Sequence, residues 1–198
     1  MGLGRMTPLG VVLAGGLARR MGGGDKCLLP MGDGVLLDQV LLRLAPQVAG
    51  IALNANGDPD RFGRFGLPVI PDTVAGFAGP LAGVLAGLDW AAKEGTTQIV
   101  TVAGDTPFFP TDLAARLTAA ASPVGLALAG TPDGQRHPTF GLWPVALRDA
   151  LREALAGGTR KVVAWTDPLG CGTALFEGPD PFFNVNTPED LAAAQAIA

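Results

Sequence analysis

A five-residue apolar run, Leu9 to Leu13, stops abruptly at Ala14-Gly15-Gly16 and leads into LARRMGGGDK. The run reads as a buried strand entering a turn. Five glycines precede Lys26 in this stretch, and Arg19, Arg20 and Lys26 stand beside the bend. Backbone amides in a glycine-rich turn can converge on phosphate oxygens with no side chain in the way. A basic group that follows adds a point charge or a fork of donors. Lys26 is the best single candidate for that role, Arg20 comes next, and Arg19 is expected to face solvent. Two familiar motifs are excluded. Asp25-Lys26-Cys27 stands where a phosphate loop needs Gly-Lys followed by Ser or Thr, and Gly-x-Gly-x-x-Gly is absent directly after the strand. The plain alternative is a tight surface turn carrying solubilising bases.

The rest of the chain alternates in the same way. Strands are expected at Gly50 to Asn54, Leu67 to Ile70 and Gln98 to Ala103. Helices are expected over Leu36 to Val48, ended early by Pro46, and over Pro80 to Glu94 and Thr111 to Ala121, the last capped by Thr111. Val124 to Ala129 and Thr139 to Trp143 read as strands around a turn-rich GTPDGQRHP, a hairpin or a flap. Val145 to Leu155 reads as a helix, with short strands near Val162 and over Cys171 to Phe176. Thr187, Pro188 and Asp190 form a helix start with a capping box. This alternation predicts an α/β fold with a mostly parallel sheet covered by helices. No internal repeat and no linker stands out, so all 198 residues are expected to form one domain.

Hydrophobic residues are 48% and charged residues 16%, which excludes a disordered chain. A net charge of −4 argues against a general nucleic-acid binder and leaves room for a small anionic ligand. Two cysteines make no disulfide framework, no apolar run is long enough to span a membrane, and the first ten residues lack a secretory core. A cytoplasmic protein with no membrane partner is the expectation.

Several residues could carry chemistry, each beside a plainer reading. Asp105 follows the most apolar strand, at the end where α/β sheets bind ligands; it would suit a hard cation such as Mg²⁺, or it bonds its own turn. Asp72 ends another strand and could meet ribose, base or water. Asn54 and Asn56 could pair with a base or pterin edge, or simply form a turn. GFAGPLAGVLAG lets a flat ligand approach at its start, and its later glycines suit close helix–sheet packing. His137, the only histidine, sits beside Arg136 and either bonds a substrate or fixes the turn. Asn184 and Asn186 are two apart and face one way in an extended segment. Zinc clusters and hydrolytic triads have no support in the spacing.

Taken together, LAGGLARRMGGGDK, GPLAG, AGDTPFF, RHPTFGL and NVNTPEDL resemble the molybdenum cofactor guanylyltransferase family, from about Thr7 onward. The resemblance implies a three-layer α/β/α nucleotide-binding domain of the glycosyltransferase-A and nucleotidyltransferase type. It implies Mg²⁺-dependent transfer of GMP from GTP to the phosphate of molybdopterin or its molybdenum-loaded form, with release of pyrophosphate. By the same resemblance Leu13, Ala14, Gly15 and Gly16 meet guanine and ribose, and Arg20 and Lys26 meet the triphosphate. Asn54 and Asp72 fall on nucleotide-side polar contacts, Gly79 on the base-binding loop, and Asp105 on the metal-binding aspartate. Lys26, Arg20 and Asp105 are then the catalytic set. Arg136, His137, Asn184 and Asn186 fall on the acceptor side, to which residues 130–186 contribute much. Asn186 stands where some related enzymes carry a second metal carboxylate. Transient contacts with cofactor-insertion chaperones or molybdoenzymes are a further implication. The rivals are a cytidylyltransferase acting on the same pterin, a sugar-phosphate nucleotidyltransferase, and a nucleotide-binding adaptor without turnover. LAGG favours guanine over cytosine by family analogy alone.

Overall fold

A computed structural model describes residues 7–15, 24–74 and 79–197. Its main sheet has seven strands: β1 (Leu9–Leu13), β4 (Ile51–Asn54), β5 (Val69–Ile70), β6 (Gln98–Ala103), β7 (Ala127–Gly130), β8 (Arg136–Pro144) and β9 (Gly172–Leu175). Their order is β5-β4-β1-β6-β8-β7-β9, and β8 alone runs against its neighbours. A separate two-stranded ribbon pairs β2 (Pro30–Met31) with β3 (Gly34–Val35). The helices are α1 (Leu36–Leu44), α2 (Pro80–Lys93), α3 (Leu113–Ala120), α4 (Arg148–Ala156), α5 (Val162–Thr166) and α6 (Pro188–Ile197).

Period-two alternation along the strands splits the core between the two sheet faces. Val12, Val100, Val102, Ala127 and Leu142 pack with Leu37, Val40 and Leu44 of α1 and Leu113 and Leu117 of α3. Val11, Ile99, Leu126, Leu128 and Trp143 pack with α2, α4 and α5 on the other face. The result is three layers, α/β/α. The buried hydroxyl of Thr101 is satisfied twice, donating to the Thr139 carbonyl and accepting from Trp143 Nε1, both at 2.8 Å.

Chain order sets the ligand position. From β1 the chain moves outward to β4 and β5, then returns to β6 on the opposite side of β1. This is a topological switch point, and the carboxyl ends of the strands open a crevice there.

Two expectations about elements need correction. The Val162 segment is helix α5, whose Val162 and Trp165 are buried against α2 and α4. Thr111 does not cap α3; the Ala114 amide is satisfied instead by the side chain of Gln47, 67 residues away in sequence. Of the two readings of GTPDGQRHP the hairpin is the one observed; strand β8 starts at Arg136, three residues before the expected Thr139, and so includes His137.

Candidate active site

The crevice at the switch point is a cleft of about 730 Å³. Leu13 and Gly15 after β1, Asn54 at the end of β4, Asp72 after β5, Gly79 and Pro80 at the start of α2, and Asp105 after β6 all line it. Two glycines let these pieces come together. A Cβ on Gly104 would lie 3.1 Å from Cys27 Cβ and 3.3 Å from the Leu13 carbonyl oxygen, so glycine lets the Asp105 turn close against the end of β1 without crowding. A Cβ on Gly83 would stand 2.2 Å from Asn54 Oδ1. The first turn of α2 therefore rests directly on the Asn54 side chain.

Asn54 is buried and works as a wall rather than as a free contact. Its amide donates to the Ile70 carbonyl and, at 3.0 Å, to Asp72 Oδ1. Asn56 donates to the other oxygen of Asp72 at 2.8 Å and accepts from the Asp72 amide at 2.9 Å. Asp72 is thus held from both sides at the cleft wall. The N-terminal end of α2, with Gly79 and Pro80, presents the positive end of a 14-residue helix dipole to the same space.

On the opposite side, Lys26 Nζ donates to Asp105 Oδ2 at 2.8 Å and to Asn186 Oδ1. Both members of the ion pair are largely buried, with side chains 13% and 18% exposed. Two oxygens from distant segments converge on one cation position. Asn186 is itself fixed by the start of α6: Asp190 accepts from the amides of Asn186 and Thr187 at 2.9 Å, while the Asp190 amide donates to Thr187 Oγ1. These amides, that of Asn186 first, hold the Asp190 carboxyl below the usual carboxylate range. The Val185 amide donates to the Asp105 carbonyl at 2.9 Å, tying this segment to the β6 turn.

A second cleft of about 510 Å³ continues from the first, with Thr139 and Asn184 lining both. Arg136, His137, Asn186, Asp180 and Phe182 also line it. His137 packs against Phe182 with ring centroids 4.3 Å apart and the rings tilted by 30°. Its Nε2 is buried with no hydrogen-bond partner among the described residues, and burial lowers its pKa while Asp180 and Asp133 oppose the shift. Arg136 pairs with Asp167.

Of the residues singled out in the sequence, Leu13, Gly15, Asn54, Asp72, Gly79 and Asp105 line the first cleft, and Arg136, His137 and Asn186 the second, with Asn184 in both. Ala14 is buried beneath the first, its amide bonded to the Asn54 carbonyl. Lys26 joins the two sides through Asp105 and Asn186. Gly16 and Arg20 lie outside the described residues. The sequence reading missed Asp25, Arg61 and Thr139, which also line the first cleft. Arg61 sits in a charged PDRFGRF stretch whose pattern is that of any solvated turn, and only its pairing with Asp25 across 36 residues marks it. Among the described residues no three His, Cys, Asp or Glu side chains gather as a metal centre. Nor is any helix among them long and apolar enough to cross a membrane.

Residues 10–169 match the MobA-like NTP transferase domain. A molybdenum cofactor guanylyltransferase of Mesorhizobium japonicum is 56% identical, over 95% of this chain and 94% of that one. One from a Bradyrhizobium species is 53% identical, over 96% and 92%. Among solved structures, molybdopterin-guanine dinucleotide biosynthesis protein A of Archaeoglobus fulgidus superposes with a TM-score of 0.74 at 23% identity, covering 96% of this chain and 97% of that one. A 2-C-methyl-D-erythritol 4-phosphate cytidylyltransferase of Thermus thermophilus has the same fold, with a TM-score of 0.67 at 22% identity over 97% and 98%. The fold is therefore common to nucleotidyltransferases that differ in base and acceptor, whereas the identity to the first two relatives runs nearly end to end. The chain belongs to the MobA-like NTP transferase family and, within it, to the molybdenum cofactor guanylyltransferases.

Proposed function

We propose that this chain transfers GMP from GTP to the terminal phosphate of molybdopterin, forming the guanine dinucleotide cofactor and releasing pyrophosphate. The observation that carries the reading is the Lys26–Asp105–Asn186 cluster, in which Lys26 links Asp105 of the first cleft to Asn186 of the second. Near-complete identity of span with guanylyltransferase relatives supports GTP as the donor.

An acceptor phosphate oxygen forms a bond to the α-phosphorus of GTP while the bond from that phosphorus to the β-bridging oxygen breaks. The electron pair leaves with pyrophosphate. The attacking phosphate is already anionic, so no protein nucleophile is required, and Cys27 supplies none: burial, then the Asp25 charge, pushes its thiol up to about 12. The work of the chain is to hold two anions in line and offset their repulsion. Leu13, Ala14, Gly15 and Gly16 would seat the guanosine, with Asn54, Asp72 and Gly79 as the opposite wall. Lys26 and Arg20 would neutralise charge that develops toward pyrophosphate. Arg136, His137, Asn184 and Asn186 would orient the acceptor.

Nucleotidyltransferases of this family typically use a divalent metal, and Mg²⁺ is the ion proposed here. The donor set fits it: Asp105 Oδ2 and Asn186 Oδ1 are hard oxygens that already share one cation, the Lys26 ammonium. The charge of the lining also calls for one, because its described residues include the carboxylates of Asp25, Asp72 and Asp105 and one guanidinium, Arg61. When bound, the ion polarises the α-phosphate and offsets phosphate charge.

Pyrophosphate release measured with GTP, CTP, ATP and UTP, each with and without molybdopterin, tests the reading. Release is expected only with GTP and molybdopterin together. Preference for CTP would move the chain to the cytidylyltransferases, and GTP binding without release would make it an adaptor.

A further inference from the structure

The nucleotide cleft contains an ion pair that the proposed reaction leaves unused. Arg61 donates to Asp25 through both Nε and Nη2, a fork on one carboxylate. Its other N–H groups reach the carbonyls of Asn56 and Asp58, and its guanidinium lies 4.6 Å from the centre of the buried Phe62 ring. The pair is mostly shielded, with side chains 26% and 12% exposed.

Asp25 opens the 3-10 turn Lys26–Leu28, its carbonyl accepting from the Leu28 amide at 3.1 Å. The three consecutive side chains then diverge. Asp25 turns to Arg61, Lys26 to Asp105 and Asn186, and Cys27 into the core beside the Ala14 carbonyl. A lysine is a compact charge on a flexible four-carbon stem, so its aim depends on how firmly its backbone is held. Cys27 anchors that backbone on one side and Arg61 on the other.

We infer that Arg61, acting through Asp25, is a positioning residue that fixes where the Lys26 ammonium stands and so sets the grip on the polyphosphate of the nucleotide. The inference rests on the reading of Lys26 as a triphosphate contact. A direct contact from Arg61 to the nucleotide is the competing arrangement, since Arg61 also lines the cleft. The two arrangements predict opposite effects of Asp25→Asn. Loss of the fork weakens binding if Arg61 acts through Asp25, and frees a cation for the ligand if it acts directly.

The experiment is calorimetric titration of the full chain with GMP and with GTP, both with Mg²⁺. Arg61→Gln and Asp25→Asn are each expected to weaken GTP roughly tenfold, the scale of coupling between contacting residues, and to leave GMP within about twofold. In a Lys26→Ala background, Arg61→Gln is expected to add no further loss. Arg61→Lys, which keeps the charge without the fork, should behave as Arg61→Gln does, and thermal unfolding of each variant separates a lost fold from a lost grip. Equal losses for GMP and GTP, additive losses in the double variant, or tighter GTP binding by Asp25→Asn would each overturn the inference. Unchanged GTP affinity in Lys26→Ala alone would instead remove the Lys26 reading on which it stands.

Discussion

On the proposed reading, Lys26 is the residue on which most of the chemistry converges. Replacing it with Ala removes the cation shared by Asp105 and Asn186 and, on the proposed reading, the charge facing the leaving pyrophosphate. Lys26→Ala should slow single-turnover GMP transfer roughly a hundredfold or more, the usual cost of one transition-state charge contact. Stability should fall as well, by about 1–3 kcal/mol, because the largely buried Asp105 carboxylate loses its ion-pair partner. Rapid-quench kinetics beside a denaturant titration checks both halves. His137 makes a separate prediction. Its pKa is lowered in the folded chain by burial, so below the ordinary histidine value of about 6.5 the unfolded state takes up a proton first. Stability is therefore expected to fall as pH drops from about 6.5 toward the lowered value, and to hold above that range. As the only histidine, it can be tested by one variant: His137→Asn should flatten this part of the curve of unfolding midpoint against pH. An identical slope in the variant would contradict the assignment.

At the level of elements, what was legible in the sequence followed local rules. The strand Gln98–Ala103 shows as an apolar run closed by a glycine, and the start of α6 as Thr-Pro-x-Asp. What was not legible depended on distant partners. The cap of α3 comes from Gln47, and no spacing near Thr111 announces it. The segment around Val162 has β-branched residues that local propensity assigns to a strand, yet packing of Val162 and Trp165 on α2 and α4 makes it a helix. Site residues divide in the same way. Asp105 was visible because it ends a strand, whereas Arg61 became visible only once the fold set it against Asp25. The contact of α2 with β4 gives the prediction at this scale. Gly83→Ala would drive a Cβ into Asn54 Oδ1, and Asn54 cannot yield without disturbing Asp72. A loss of about 1–3 kcal/mol is expected, with weaker GTP binding in the same variant. Denaturant unfolding and a binding titration would show the two losses together; a stable variant that binds normally would mean that the wall does not shape the cleft.

For the whole molecule, the sheet order explains why the site lies where it does, and the shared fold of a cytidylyltransferase explains why the sheet alone cannot choose the nucleotide. On the proposed reading that choice falls to the cleft wall of Leu13, Asn54, Asp72 and Gly79, and the choice of acceptor to the adjoining cleft around Thr139 and Asn184. The described lining of the first cleft carries three carboxylates and one guanidinium, so on the proposed reading the binding of two anionic substrates depends on Lys26 and the metal ion. The most direct measurement follows a label. Incubated with molybdopterin, Mg²⁺ and GTP labelled at the α-phosphate, the chain should place the label in the pterin dinucleotide, while a γ-phosphate label should appear only in pyrophosphate. Label from the α-phosphate recovered as free GMP, or left in GTP with molybdopterin unchanged, would contradict the account.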